Sequence, residues 1–441
     1  MGAGDRRKKR RRWKRKCITA FLIIFLFITA GAALARSLSA FFELNAETRG
    51  YAPEENEAPV QAEEALRYDS KETEEYENDM PEVMEVNMAE NVTAERVSST
   101  EIRIMWNRIS DTSPAEGGQY VIMRKGSSAN VKSDEWEEIG AVKASDESND
   151  SSGEFGYDYV FTDLLASSEP VQYQYRIDAR TNGQVCYKGT EESVAVASNV
   201  LICIDPGHYK GASEVPGENM YGYEEGIFTL RVGLALREEL AKHGIASYLT
   251  RETDRITLAG YTNGTLDRGH ISLRGEYAAG SNLFFSIHTN ANNDNVNGCD
   301  TWQQPLEINK TLVIVNETAG RNEEMIAIAN EIGQAVAKAS YQLGLSYTDQ
   351  FERVDSNSVR PWTSDYNDSL NVKGTVCSRL GTDGDYYGVL RGAANVGVPG
   401  MIVEHGHHTV EEVRKQAMTG KLDTIWARAD AEGIVKGLGF E

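Results

Sequence analysis

Three residues in the C-terminal half have the types and positions a metal site needs. His208 closes Ile204-Asp205-Pro206-Gly207-His208, His288 closes the apolar run ending SIH, and Glu404 follows Met401-Ile402-Val403. A polar residue directly after four or five apolar strand residues points into the crevice at the carboxyl edge of a sheet. Imidazole nitrogens and carboxylate oxygens suit zinc, and a catalytic site needs three such donors plus an open position for water. Taken singly, a histidine after a strand is more often a loop residue with a satisfied hydrogen bond than a ligand. The weight lies in the ordered set: I-D-P-G-H, then an acidic residue opening a helix, then S-I-H-x-N-A, then V-E-x-G near the C-terminus.

Elements able to hold these residues begin at Asn199. VLICIDPGH is a buried strand ending in a turn. GIFTLRVGLALREELAKHG is a helix with Leu230, Leu234 and Ala235 on one face and Gly244 as its stop. IASYLTR and NLFFSIHTN are further strands, with the short helix ISLRGEYAAG between them. A long helix is expected from about Asn322 to Leu343, a strand at GMIVEHG, and a closing helix from about Leu422 to Leu438. Strands alternating with helices predict an α/β layer fold, a central mostly parallel sheet flanked by helices, across 199–441.

The preceding chain reads differently. Residues 91–198 alternate short strands with Gly/Ser/Asp-rich breaks. Ile102, Ile104 and Trp106 share one strand face, and Tyr173, Tyr175, Ile177 and Ala179 share another. This pattern predicts a β-sandwich. Residues 36–90 form an acidic linker; from 41 to 90 there are sixteen Asp/Glu against three Lys/Arg, too charged to offset chain entropy by burial. Residues 17–35 carry no charge over nineteen positions, enough to span a bilayer as a helix. Residues 1–16 hold ten Lys/Arg and one Asp, a basic cytoplasmic head under the positive-inside rule. The expectation is a single-pass membrane protein with its catalytic domain outside the cytoplasm. The alternative is secretion after cleavage near Ala35, since Ala33-Leu34-Ala35 fits a signal-peptidase site. The whole chain carries −22, and the part after the basic head −31, which excludes a nucleic-acid binder. Five cysteines without CxxC spacing make neither a disulfide scaffold nor a cysteine zinc site.

Two resemblances follow. The Trp of EIRIMWNRI, then F-x-D-L and Y-x-Y-x-I-x-A, make 91–198 similar to a fibronectin type III domain, which implies a spacer or a module with a wall or protein ligand. From 199 onward, IDPGH, TRETD, LRGEYAAGSNLFFSIHTNAN, VLRGAANVGVPGMIVEHG and the closing helix resemble the zinc-dependent N-acetylmuramoyl-L-alanine amidases of bacterial peptidoglycan. That resemblance implies one zinc ion per chain held by His208, His288 and a Glu just before the first long helix. Glu224 and Glu225 compete for that place; counting back five residues from Leu230 selects Glu225. It implies Glu404 as the catalytic acid/base, and peptidoglycan as substrate, cut between the lactyl group of N-acetylmuramic acid and L-Ala. Zinc would bring the pKa of a bound water to about 7, and Glu404 would carry its proton to the departing amine. Asp205 then reads as the partner orienting His208 through its second ring nitrogen.

The sequence departs from that family in places. Tyr209-Lys210 stand where glycines usually follow the DPGH motif. His405, Gly406, His407 and His408 surround Glu404, either as substrate-binding or proton-shuttling imidazoles or as exposed loop histidines. His243 and His270 look incidental. The polar stretch 346–373 is extra, a lid or wall-contacting loop. Two other functions compete: a zinc peptidase cutting within the stem peptide, and a non-catalytic wall-binding protein.

Overall fold

The computed structural model describes the chain from Met84 to Phe440, except residues 86, 110–116, 130–132, 134, 147–155, 210–218, 221–222, 256–257, 259–267, 292–308, 318, 321, 347 and 363–372. The basic head 1–16, the apolar segment 17–35 and the acidic linker up to residue 83 lie outside the described residues. Among the described residues no helix is long and apolar enough to cross a membrane.

The first described part is a β-sandwich. Ala89–Ser98, Glu101–Arg108 and Tyr159–Leu164 form one antiparallel sheet. Gln119–Ser127, Glu137–Lys143, Gln172–Thr181, Gln184–Lys188 and Ala195–Ser198 belong to the other. Strand structure starts before the residue-91 boundary expected from the sequence, because Ala89 is already buried and paired with Arg108. Ile102, Ile104 and Trp106 are fully buried, and Trp106 stacks on Tyr159 with ring centroids 5.5 Å apart. The same alternation buries Tyr175, Ile177 and Ala179 from the facing sheet.

From residue 201 the chain builds a mixed sheet with helices on both faces. The elements are β1 (Leu201–Pro206), α1 (Glu225–Lys242), β2 (Ala246–Leu249), α2 (Arg268–Glu276), β3 (Leu283–Asn290), β4 (Leu312–Val315), α3 (Glu323–Gln342), β5 (Phe351–Glu352), β6 (Arg360–Pro361), β7 (Gly374–Ser378), β8 (Leu380–Gly381), β9 (Gly384–Asp385), α4 (Gly388–Asn395), β10 (Gly400–His407), α5 (Glu411–Met418) and α6 (Lys421–Gly437). Sheet order is β2-β1-β3-β10-β4-β7-β5, with β6 also on β7. Every pairing is parallel except β4 with β10, so the sheet is mixed rather than parallel throughout. Part of the polar stretch 346–373 is therefore not a lid: it supplies the edge strands β5 and β6, while 363–372 lie outside the described residues.

The central strands are apolar on both sides because both faces are covered. Ile202, Ile204, Phe285, Ile287 and Val403 face α1, α3 and α6; Cys203, Phe284, Ile314 and Ile402 face α2 and α4. On α1 the buried row is Phe228, Val232, Leu236 and Leu240, spaced by four, and Leu234 and Ala235 are only partly covered. Of the expected face, Leu230 is buried, whereas Leu234 and Ala235 lie at the margin of the row that the helix turns inward. Helix α3 starts at Asn322, whose side chain accepts the Met325 N–H at 2.8 Å, as an N-cap should.

Candidate metal centre

Strands β1 and β3 are in register, Asp205 against Ser286 and Pro206 against Ile287, so β1 stops one residue short of the level of His288, while β3 runs on to Asn290. His288 pairs with Glu404 across β3 and β10, and partners in a parallel register share a sheet face. His208 lies two residues past β1, in a left-handed backbone conformation (φ 54°). The Gly207 before it cannot carry a side chain: a Cβ there would sit 2.4 Å from the His288 ring. That close approach brings the two imidazoles edge to face, with ring centroids 4.9 Å apart.

The third donor comes from the first turn of α1. Glu225 is buried, with its Oε2 3.4 Å from His208 Nε2 and its Oε1 3.4 Å from His288 Nδ1. Ligand atoms of these three residues all lie within 4.8 Å of one another. Two donors at zinc-ligand bond lengths in a tetrahedron are about 3.3 Å apart, a separation that the two Glu225 spacings match. Glu224, the competing neighbour, is not in this cluster, and neither is Glu404. The Thr289 N–H donates to Glu225 Oε1 at 2.8 Å and fixes its rotamer.

The charge states fit a cation too. Burial opposes ionisation of Glu225, but His208, His288 and His408 around it outweigh burial and hold its carboxyl at about 2. Burial lowers the pKa of His288 despite the Glu225 hydrogen bond. Near neutral pH the trio is thus one carboxylate with a neutral His288, and a metal would displace no proton from either.

Behind the cluster, Asp205 does not reach His208. Its fully buried carboxylate accepts from Thr250 Oγ1 (2.6 Å), from Arg274 Nη2 (2.7 Å) and from Ser286 Oγ (2.7 Å). Ser286 Oγ in turn lies 3.2 Å from His288 Nε2, so Asp205 orients the other histidine, through a hydroxyl. The reason is the sheet register, which sets Ser286 directly beside Asp205. Burial works against the Asp205 charge, but Arg274 and the two hydroxyls outweigh it and lower its pKa. Arg251, also buried, donates to the carbonyls of Pro206, Gly207 and Gly226, tying the His208 turn to the start of α1. Both arginines lie in stretches noted above, TRETD and LRGEYAAG, but nothing local in the sequence marks them as braces.

The histidines around Glu404 are not exposed loop residues. His405, His407 and His408 are all buried. His405 faces away from the trio, its Nε2 2.8 Å from Asp430 of α6 and its ring 5.2 Å from Trp426. His408 is the one that reaches the cluster, with Nδ1 3.9 Å from Glu225 Oε2 and 3.0 Å from Thr289 Oγ1. His243 ends α1, where its carbonyl accepts from Gln172 Nε2. The His270 side chain lies outside the described residues.

The sequence profile of the N-acetylmuramoyl-L-alanine amidase family matches residues 202–436, more than half of the 441. Similar solved structures include the N-acetylmuramoyl-L-alanine amidase AmiC2 of Nostoc punctiforme, at 21% identity and TM-score 0.34, over 54% of this chain and 97% of that one. The CwlD amidase from Clostridioides difficile, in complex with the GerS lipoprotein, is 18% identical at TM-score 0.37, over 55% of this chain and all of that one. The catalytic domain of CwlV, an N-acetylmuramoyl-L-alanine amidase from Bacillus (Paenibacillus) polymyxa var. colistinus, is 16% identical at TM-score 0.34, over 54% and 97%. No curated protein matches the chain.

Proposed function

This chain belongs to the N-acetylmuramoyl-L-alanine amidase family, and from that membership we propose how its crevice does the work. The protein hydrolyses the amide between N-acetylmuramic acid and L-alanine of peptidoglycan. The metal is zinc, one per chain, held by His208, Glu225 and His288; the observation that carries this is their mutual spacing within 4.8 Å. Zinc in such a site supplies Lewis acidity toward the scissile carbonyl and brings the pKa of water near 7.

The chain's own groups do the rest. The Glu404 carboxylate takes the proton of the attacking water and gives it to the departing L-Ala nitrogen. Asp205, through Ser286, holds the His288 ring with Nδ1 toward the cluster. Thr289 holds Glu225.

A ligand and a general base differ in what their loss does. Glu404→Gln should keep zinc near one per chain and lower turnover by roughly 10²–10⁴-fold. His288→Ala should lose both metal and activity. Zinc loss in Glu404→Gln, or full zinc occupancy in His288→Ala, would reverse the assignment.

The basic head and the charge-free segment 17–35 motivate a membrane anchor, with everything from residue 91 outside the cytoplasm. The sandwich, similar to fibronectin type III domains, serves as a spacer that can take a wall or protein ligand. Protease added to intact protoplasts should remove both domains; protection of both would refute export. A mature N-terminus at Arg36 would replace the anchor by a cleaved signal.

A further inference from the structure

By strand alternation from Thr375, which the register aligns with Glu404 through Leu312, position 379 falls on the sheet face that carries Glu404, and its arginine is set among aromatic rings. Arg379 follows β7, and its guanidinium lies 3.6 Å from the Tyr386 ring centroid and 5.5 Å from that of Trp362. Trp362 stacks on Tyr387 at 6.3 Å, and Tyr386 meets Tyr387 edge to face at 5.3 Å. Backbone bonds fix this frame: Trp362 N–H to the Ser378 carbonyl (2.7 Å) and Tyr386 N–H to the Arg379 carbonyl (2.9 Å). The Tyr387 phenol links the frame to the catalytic centre. Burial and then the Glu404 charge raise its pKa, while Arg379 beside it works the other way.

Arg379 has no carboxylate partner among the described residues. The neighbouring acids are turned elsewhere: Asp385 accepts the Glu317 N–H, and the Glu317 carboxylate accepts the Ser378 hydroxyl. The Trp362 indole N–H is buried and has no acceptor among the described residues. The Arg379 guanidinium is thus held by the rings and by the Tyr387 phenol rather than by an acid, which leaves its charge uncompensated by a carboxylate and its remaining N–H groups for an anion.

We propose that Arg379, framed by Trp362, Tyr386 and Tyr387, binds a carboxylate of the stem peptide and so sets the peptide side of the crevice. This rests on the amidase reading above. The chemistry selects the peptide: the lactyl carboxyl of the intact substrate is consumed in the scissile amide, so the substrate's free carboxylates lie on the peptide. A planar guanidinium binds a carboxylate through two parallel hydrogen bonds, and the flanking rings hold it in the required plane.

The test compares two probes: a muramoyl peptide with free peptide carboxylates, and the same compound with them converted to carboxamides. The wild-type protein should prefer the acid by about 10- to 100-fold, expressed in KM. Arg379→Gln should lose that preference, its loss on the acid exceeding its loss on the carboxamide by about that factor, and Arg379→Lys should restore part of it. Equal wild-type use of both probes, or an equal loss on both in Arg379→Gln, would overturn the proposal. Binding of both probes to Glu404→Gln, with and without Arg379→Gln, separates this from the amidase reading. If the wild type cleaves neither probe, the amidase reading fails. An acid preference in binding that Arg379→Gln abolishes would still support the arginine site, and its absence would overturn it.

Discussion

At His408 the environment alone decides the charge. Burial lowers its pKa to about 4, and the nearby Glu225 carboxylate only partly offsets that. The unfolded chain takes up this proton near pH 6.5, but the folded chain refuses it until about 4. Stability of the metal-free protein should therefore fall as pH drops through that window, by roughly 3 kcal/mol. Glu225, coupled to His408, contributes lower down, its share intact above about 4.5 and lost toward 2. Denaturant titrations between pH 7 and 4.5 measure the first effect, and His408→Gln should flatten the slope; a flat wild-type profile would refute it. His208, His288 and Glu404 were legible from sequence because each follows an apolar strand whose end is marked. The roles of His408 and Asp205 were not. Which imidazole Asp205 supports depends on Ser286, eighty-one residues away and adjacent only through sheet register.

Among the elements, β10 shows what period two does at a site. Glu404 and His405 are consecutive, so one serves the catalytic face while the other is locked beneath it against Asp430 of α6. The strand and its family motif could be read in advance, but burial of the following histidines could not, because helices α5 and α6 that cover them come later in the chain. The end of α1 makes a similar point about the sandwich. Gly244, at φ 66°, presents its carbonyl to Ser198 N–H at 2.8 Å, and a Cβ there would lie 2.5 Å from the Val196 oxygen. Gly344, at φ 71° after α3, has open space around it. Alanine at either should cost about 1–2 kcal/mol for the left-handed conformation. Gly244→Ala should cost more, because it also forces the strand Ala195–Ser198 away from α1. Equal losses in thermal unfolding would mean that this junction contributes nothing.

For the whole molecule, the sandwich and the catalytic layer are joined without a slack linker. Asn199, fully buried, is tied back into the sandwich: it donates to the carbonyls of Ser99 and Glu169 and accepts from Val171, while its own carbonyl accepts from Arg96; across the junction Ser198 N–H donates to the Gly244 carbonyl and Leu201 N–H to Asn282 Oδ1. The sequence placed the change of texture at Asn199 but could not foresee this bracing, which uses strands far apart in the chain. The chemistry performed in the crevice is read most directly from its products, by mass spectrometry of peptidoglycan fragments digested with the intact protein. Release of stem peptides with a free L-Ala amino terminus, leaving intact lactyl carboxylates on the glycan, is the expected result. A cut inside the stem peptide, with the first L-Ala still attached to muramic acid, would contradict it.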